Sequence, residues 1–472
     1  MRFAEPDAYL EIGKLHNRAR TFRNISIFTV ATFAICAGAD IRTACAAETK
    51  QEFPKLGGMQ IGKSPYEGNL SNADYRAEIA KLDFVVISRA TPTLVDYARD
   101  IKAHNPDIVI AKYKNIAEVP LTDTYYDTPQ RNKLNAGKGP NGTNAFDWWA
   151  RDANGNRIST WVNNDRANLT EYVKPDANGQ RWPQWRAQFD YDLFMKDPVW
   201  DGWYMDLTNW RPKWKGGPSA DFSGGQVSEE EHNAAYRRGN RAYWDAIRQL
   251  TPDTLILVNF DWFLYDDNGK RNENLGPYEG ANGGYIEYRM SWTGAQNNWQ
   301  EIYTWYRRSM GYFVEPKFVL FDVKGPPNNY QFFRYSFATC LMADGYFDYS
   351  PEDGFRKGTV EWFDEFDLAG TATTRWMGLA VSLPPDNSWQ SGVYRRDFEN
   401  AVVLVNPYQN GRVTVSLESG LTRIDGRQDP VVNNGRVADQ VTLEAGDGIV
   451  LLRDTAVIPD TKRPKPPVLS SE

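Results

Sequence analysis

Asp201-Gly202-Trp203-Tyr204-Met205-Asp206-Leu207-Thr208-Asn209 is a short apolar run that closes on an acid. The run is too short for a helix of ordinary length and reads as a buried strand. With a side-chain period of two, Asp206 shares a face with Tyr204 and Gly202, residues small or polar enough for the inside of a closed sheet. Similar runs flank it at Met59–Gly62, Phe84–Ser88, Ile108–Lys114, Leu255–Asn259, Gly284–Arg289, Phe318–Val323 and Gly345–Tyr349. Between most of them the period lengthens to that of helices, over Asn72–Leu82, Thr91–Ala103, Glu229–Leu250, Trp299–Phe313 and Tyr330–Ala343. A cap at Ser71 or Asn72 and Thr91-Pro92 at a helix start support two of these. Strand alternating with helix predicts a parallel sheet, and eight such strands predict an α/β (β/α)8 TIM barrel. The rival is a doubly wound open sheet, but no G-x-G-x-x-G opens the first helix.

The barrel is expected over residues 57–370, with a long insertion at about 120–198 between the third and fourth strands. That insertion is rich in Gly, Asn, Asp and Trp, and Asp152–Asn156 reads as a hairpin turn. An excursion after a barrel strand lies on the C-terminal face, where barrel enzymes keep their sites, so Trp148, Trp149, Trp161, Trp182 and Trp185 are expected there. A subdomain with its own small core is the plainer alternative. From Gly392 to Arg453 the pattern is turn-separated β, with Asn406-Pro407, Asn410-Gly411 and Asp447-Gly448 as punctuation. Residues 371–454 are therefore read as a small C-terminal antiparallel β-sandwich domain, and 455–472, rich in Pro and Lys, as a disordered tail.

Of the 472 residues, 41% are hydrophobic and 24% charged, enough to bury a sizeable core. The net charge of −7 disfavours nucleic acid, which needs a basic footprint. Aromatic content is 14%, with 17 Trp, whose flat faces suit carbohydrate rings as well as protein cores. Residues 1–46 read as a signal peptide: Arg18, Arg20 and Arg23 precede the apolar run Ile25–Ala39, and Ala44-Cys45-Ala46 supplies a cleavage site. A periplasmic or secreted location follows as an expectation. Cleavage would leave Cys340 as the sole cysteine, set in the core-like pattern FATCLMA, so no internal disulfide is possible. It would also leave only His104 and His232, both in polar helical settings. A Ser-His-Asp triad or a His-rich zinc site needs better-placed imidazoles, which shifts the chemistry to carboxylates.

In a barrel, polar residues at the C-terminal ends of the strands point at the substrate. Asp206 ends the fourth strand and Glu287 the sixth, on opposite sides of the mouth. Glycosidic cleavage needs one carboxyl to protonate the leaving oxygen and another to attack or to activate water. Asp206 is the candidate nucleophile or anionic stabiliser, and Glu287 the candidate general acid. Candidate substrate-binding residues are Lys112 and Lys114 on the third strand, Trp149 in the insertion, and Asn209 after the fourth strand. To these are added Asn259, Asp261 and Trp262 at the fifth strand, Arg289 and Trp292 beyond the sixth, Asp322 on the seventh and Asp348 on the eighth.

The run D-G-W-Y-M-D-L-T-N resembles the D-G-(hydrophobic)2–3-D-N signature of TIM-barrel glycoside hydrolases. The segment G-V-Y-R-R-D-F-E-N-A-V-V-L-V-N-P resembles the R-x-F-x-N-G-x-V-x-V-N-P that opens their C-terminal β-domain. The family it resembles most is hypothetical glycosyl hydrolase family fifteen, over roughly Gly57 to Arg453. The resemblance implies a barrel glycosidase with a strand-four carboxylate, here Asp206. The chain departs from the pattern in having Leu207-Thr208-Asn209 where Asp-Asn is usual, so the role of Asn209 is not carried over.

Two functions are thus in view. The first is a glycosidase acting on a polysaccharide or oligosaccharide with no cofactor and no metal. The second is a non-catalytic barrel that binds cell-envelope glycan through an aromatic groove. In either case carbohydrate is the expected partner of a monomer, without nucleic acid and without membrane once the signal is cleaved. A metal-dependent esterase or deacetylase is disfavoured by the missing histidines.

Overall fold

The structure is a computed structural model that describes residues 52–62, 67–88, 91–137, 146–152, 154–161, 163–208, 212, 227–259, 279–291, 298–351, 360–371 and 374–454. The signal-peptide reading, the C-terminal tail and the candidate residues Asn209, Asp261, Trp262 and Trp292 lie outside the described residues.

Eight parallel strands form one sheet in strict sequence order. They are β1 (Gly57–Ile61), β2 (Phe84–Ile87), β3 (Val109–Asn115), β4 (Gly202–Asp206), β5 (Leu255–Asn259), β6 (Gly283–Glu287), β7 (Phe318–Lys324) and β8 (Tyr346–Ser350). The sheet curls until its ends meet: Leu56 bridges Phe347, and the Phe347 N–H donates to the Lys55 carbonyl at 2.9 Å. The predicted (β/α)8 barrel is therefore present. Around it lie α1 (Ala73–Ile79), α2 (Leu94–His104), α3 (Asp127–Ala136), α4 (Trp182–Asp190), α5 (Glu229–Leu250), α6 (Trp299–Ser309) and α7 (Tyr330–Leu341). Their starts follow local chemistry. Asn72 accepts from Asp74 N, Ser228 from Glu231 N and Asn329 from Phe332 N, each satisfying an amide that the first turn leaves open. The second helix begins at Leu94 rather than at the predicted Thr91, after a turn in which Leu94 N donates to Thr91 O.

Alternation along the strands sends one set of side chains inward. Phe84, Phe318 and Tyr346, the first residues of β2, β7 and β8, plug the N-terminal half with ring centroids 5.4 to 5.6 Å apart. Ala111, Tyr204, Leu257, Tyr285 and Leu320 continue the same interior cluster toward the other end. The barrel is thus a packed core closed below, with strand-end carboxylates at its C-terminal mouth.

The insertion between β3 and β4 builds α3, α4 and a three-stranded antiparallel sheet of Glu118–Pro120, Asn164–Arg166 and Ser159–Trp161. The expected turn at Asp152–Asn156 is formed, with Asp152 N donating to Asn156 O and Gly155 N to Asp152 O. Past the barrel, β9 (Tyr394–Asp397), β10 (Ala401–Asn406), β12 (Leu421–Arg423) and β14 (Asp447–Arg453) form one antiparallel sheet. It faces a two-stranded antiparallel sheet of β11 (Val413–Ser416) and β13 (Gln440–Leu443) across a core that includes Val402, Leu404, Val415, Val441, Ile449 and Leu451. This is the expected β-sandwich. Helix α7 packs against β14 at Gly448, where an added Cβ would meet Ala338 Cβ at 2.6 Å and Arg334 O at 2.7 Å.

Candidate active site

Register sets the rim of the mouth. Asp206 pairs with Asn115 on β3, and Glu287 pairs with Asp322, which pairs with Asp348. Four of the predicted strand-end acids therefore stand at the same end of the barrel. Asn259 closes β5 between Asp206 and Glu287, and its side chain joins them. Its Nδ2 donates to Asp206 Oδ1 and to Glu287 Oε2, both at 3.1 Å. The amide orientation follows from chemistry, because the opposite one would turn Oδ1 toward two carboxylate oxygens. The two hydrogens of an amide nitrogen diverge by about 120°, so linear bonds to acceptor oxygens 3.1 Å away would set those oxygens roughly 5 to 6 Å apart. Asn259 is 3% exposed, and its Oδ1 has no hydrogen-bond partner among the described residues.

Asp206 is held from three sides. Besides Asn259, the Leu207 N–H donates to Oδ1 at 2.8 Å and the Tyr113 hydroxyl to Oδ2 at 2.5 Å. Burial, reinforced by the Asp206 charge, pushes the Tyr113 pKa well above the phenol range, so Tyr113 stays a donor at any working pH. Tyr204 and Tyr285 lie beneath, their rings 5.8 Å apart and edge-on. Their pKa values are also raised by burial first, then by carboxylates: Asp206 and Glu287 for Tyr204, Asp322 for Tyr285. The Tyr285 hydroxyl donates to Asp322 Oδ2 at 2.5 Å, while the Tyr204 hydroxyl has no partner among the described residues.

The residue after each central acid is left-handed: Leu207 has φ 54° and Tyr288 φ 53°. That conformation costs a non-glycine residue about 1–2 kcal/mol. Two such costs, each beside a strand-end carboxylate, are the kind of local strain that concentrates at functional sites.

Other predicted residues fall elsewhere. Asp348 is buried, and its Oδ2 accepts from Met59 N at 2.5 Å, a bond across the seam that closes the barrel. Arg289 is half-buried on the turn beyond Tyr288.

Lys112 and Lys114 are corrected. They flank Tyr113, so when Tyr113 faces the barrel interior both lysines face the helices. Lys112 Nζ donates to the carbonyls of Ile87, Ser88 and Tyr113 at 3.1 to 3.2 Å. Lys114 Nζ donates to Asp190 Oδ1 at 3.0 Å and to the Tyr126 hydroxyl at 2.9 Å.

Trp149 is corrected as well. It is 2% exposed, its Nε1 donates to Asn135 Oδ1 at 3.1 Å, and the Arg157 guanidinium lies 4.3 Å over its ring. Trp148 and Trp182 are fully buried, and Trp185 stacks on Trp182 and Phe189. The insertion tryptophans whose side chains are described thus pack into the large core that also holds the layer between the barrel strands and their helices. Tyr113 was missed by the strand-end reading. Carrying the period of two from Ala111 through β3, as was done for β4, would have found it.

The central acids lie within a stretch that other sequences share. The family described as hypothetical glycosyl hydrolase family 15 matches residues 102–402. Among curated proteins there is no match. Among solved structures, the chain is similar to a noncanonic maltogenic α-amylase, AmyB, from Thermotoga neapolitana, with 8% identity and a TM-score of 0.47 over 84% of this chain and 98% of that one. It is also similar to Amy13B of Eubacterium rectale, at 8% identity and a TM-score of 0.48 over 85% and 97% of the two chains. The glycoside hydrolase domain of PelA from Pseudomonas aeruginosa is 15% identical, with a TM-score of 0.35 over 64% and 97%. The family match takes in more than half of the chain, including Asp206 and Glu287, and the chain belongs to hypothetical glycosyl hydrolase family 15.

Proposed function

We propose that this chain is an O-glycosyl hydrolase acting on a polysaccharide or oligosaccharide, with Asp206 and Glu287 as its reacting carboxylates. The shared Asn259 amide carries this reading. It bonds both acids at once, and linear bonds to one amide would set their nearer oxygens roughly 5 to 6 Å apart, compatible with the ~5 to 9.5 Å that two carboxyls flanking one glycosidic bond occupy. Asp206 accepts three hydrogen bonds, the arrangement of an acceptor rather than of an acid with a proton to give. It is therefore the nucleophile or anionic stabiliser, and Glu287 the group that protonates the leaving oxygen. The rival reading, a silent barrel that binds glycan through an aromatic groove, loses Trp148, Trp149 and Trp182 as groove residues, because all three are buried.

Glu287→Gln is the direct test of the acid. On glycosides with poor leaving groups it should lower kcat/KM by about 10²–10⁴-fold, the usual value of general acid catalysis. On activated aryl glycosides, whose leaving groups need little protonation, most of that loss should vanish. Equal losses on both substrates would remove Glu287 from the role.

A two-carboxylate mechanism needs no Lewis acid. Hydrolysis should therefore survive dialysis against EDTA. Loss of activity that zinc restores would contradict the mechanism. Export completes the proposal: the enzyme should begin near Ala47, outside the cytoplasm. Edman sequencing of the native protein tests this, and a cytoplasmic product starting at Met1 would overturn it.

A further inference from the structure

Tyr204 lies in the barrel interior, 2% exposed, and its hydroxyl oxygen is buried with no hydrogen-bond partner among the described residues. Buried hydroxyls are nearly always paired, because an unpaired one gives up its bonds to water for nothing. The tyrosines on either side follow that rule. Tyr113 donates to Asp206 and Tyr285 to Asp322, each at 2.5 Å. Tyr204 packs between them, its ring centroid 5.6 Å from that of Tyr113 and 5.8 Å from that of Tyr285. The unpaired hydroxyl is thus held inside the barrel rather than left at a surface.

Alternation along the strands places this ring beneath both proposed reacting acids. On β4, Tyr204 is two residues before Asp206 and shares its face. On β6, Tyr285 is two residues before Glu287 and shares its face. The edge-on contact between the two rings therefore carries Tyr204 across from β4 to the side of the barrel below Glu287. Burial first, then the charges of Asp206 and Glu287, raise the Tyr204 pKa well above the phenol range, so the hydroxyl keeps its proton and acts as a donor.

A donor that is unpaired at rest suits a charge that is absent at rest. Asp206 does not fit that description: it is anionic from the start, already accepts three hydrogen bonds, and loses charge as it meets the sugar. Glu287 fits it, because the general acid begins with a proton. When that proton passes to the glycosidic oxygen, the bond from the sugar carbon to that oxygen breaks and its electron pair stays with the oxygen. The leaving group departs as an alcohol, and Glu287 is left as a carboxylate. Preorganised donors contribute most where charge develops during the reaction. We propose that Tyr204 is a positioning residue whose hydroxyl donates to the Glu287 carboxylate as it forms, while keeping its own proton. The inference rests on the reading of Glu287 as the general acid.

Tyr204→Phe removes the hydroxyl alone. The full chain carrying it is assayed beside Glu287→Gln on two substrates of one sugar: the oligosaccharide that the unmodified chain cleaves, and the dinitrophenyl glycoside. On the oligosaccharide kcat should fall about 10- to 100-fold, the effect of one hydrogen bond to a charged group, with KM within about two-fold. On the dinitrophenyl glycoside, whose leaving group needs little protonation, kcat should stay within about two-fold. The melting temperature should hold or rise, since the resting fold loses no bond. An unchanged kcat on the oligosaccharide, an equal loss on both substrates, or a melting temperature lowered by more than about 2 °C would each overturn the inference. A failure of the acid reading looks different: Glu287→Gln itself would lose the two substrates equally, or the unmodified chain would hydrolyse neither. If Glu287→Gln is selective and Tyr204→Phe is not, Tyr204 alone is removed from the reaction.

Discussion

Asp190→Ala is expected to destabilise the fold by about 3–5 kcal/mol, the usual cost of leaving buried charge without its partner. Asp190 is fully buried at the end of α4 and accepts four hydrogen bonds. Lys114 Nζ and the Tyr126 hydroxyl bond Oδ1 at 3.0 Å each, and Arg186 Nε and the Tyr243 hydroxyl bond Oδ2 at 2.9 Å each. The carboxylate thereby ties β3, α4, α5 and the start of α3 together behind the site. Removing it leaves Lys114 and Arg186 facing each other in a dry layer. The pH dependence has a definite sign. Burial lowers the Lys114 pKa to about 7 against the pull of Asp190, and the unfolded chain returns it to 10.5. The unfolded state then binds the extra proton between those values, so this group's contribution to stability grows as pH rises from about 7. Burial alone would raise the Asp190 pKa, but Arg186 and Lys114 outweigh it and the net shift is downward. Its contribution is full above the ordinary aspartate range and is lost as pH falls through the lowered value. Urea unfolding at several pH values reads both effects. A loss below about 1 kcal/mol, as expected for an exposed pair such as Arg99–Asp96, would show that the network does not hold the fold.

The parts of this molecule that were legible in the sequence are those set by local pattern. Apolar runs such as Leu255–Asn259, bounded by turn residues and separated by amphipathic helices, admit few arrangements besides a barrel. The placement of acids at strand ends was legible for the same reason, since a barrel strand runs from a packed floor to a polar mouth. What pattern could not show was which face a charged residue takes when both faces have uses. Lys112 and Lys114 sit at a strand end and are polar, yet alternation from Ala111 puts them on the helix side. The partner that makes this tolerable, Asp190, is 76 residues away from Lys114. Trp149 misled in a similar way: an aromatic in a polar segment looks exposed until Asn135 and Arg157 are seen to cover it. The bridging role of Asn259 depended on which strand-end side chain reaches its neighbours across the mouth, a matter of register that no single strand encodes.

Asp206→Asn should lower the rate of glycoside hydrolysis by about 10³-fold or more, at least about 4 kcal/mol of transition-state stabilisation. The substitution keeps the shape of the side chain and removes the charge that a developing oxocarbenium ion, or the covalent bond to it, requires. Its surroundings should tolerate it. The Leu207 N–H can still donate to the amide oxygen, and the Tyr113 hydroxyl can turn from donor to acceptor, so folding and glycan binding are expected to persist. Circular dichroism and thermal unfolding beside kcat/KM separate a chemical loss from a structural one. The same measurement ranks the alternatives. Asp348 is committed to the Met59 N–H across the seam, so a variant at position 206 that keeps most of its activity would move the nucleophile to Asp322, the acid in register with Glu287. Tyr113→Phe offers an independent check on Asp206, because it removes a hydrogen bond to one carboxylate and touches no other part of the proposed chemistry. If Asp206 is the reacting group, losing that donor loosens its placement and should lower kcat/KM while the fold persists. Activity left intact would separate Asp206 from the reaction even though the geometry brings it to Glu287.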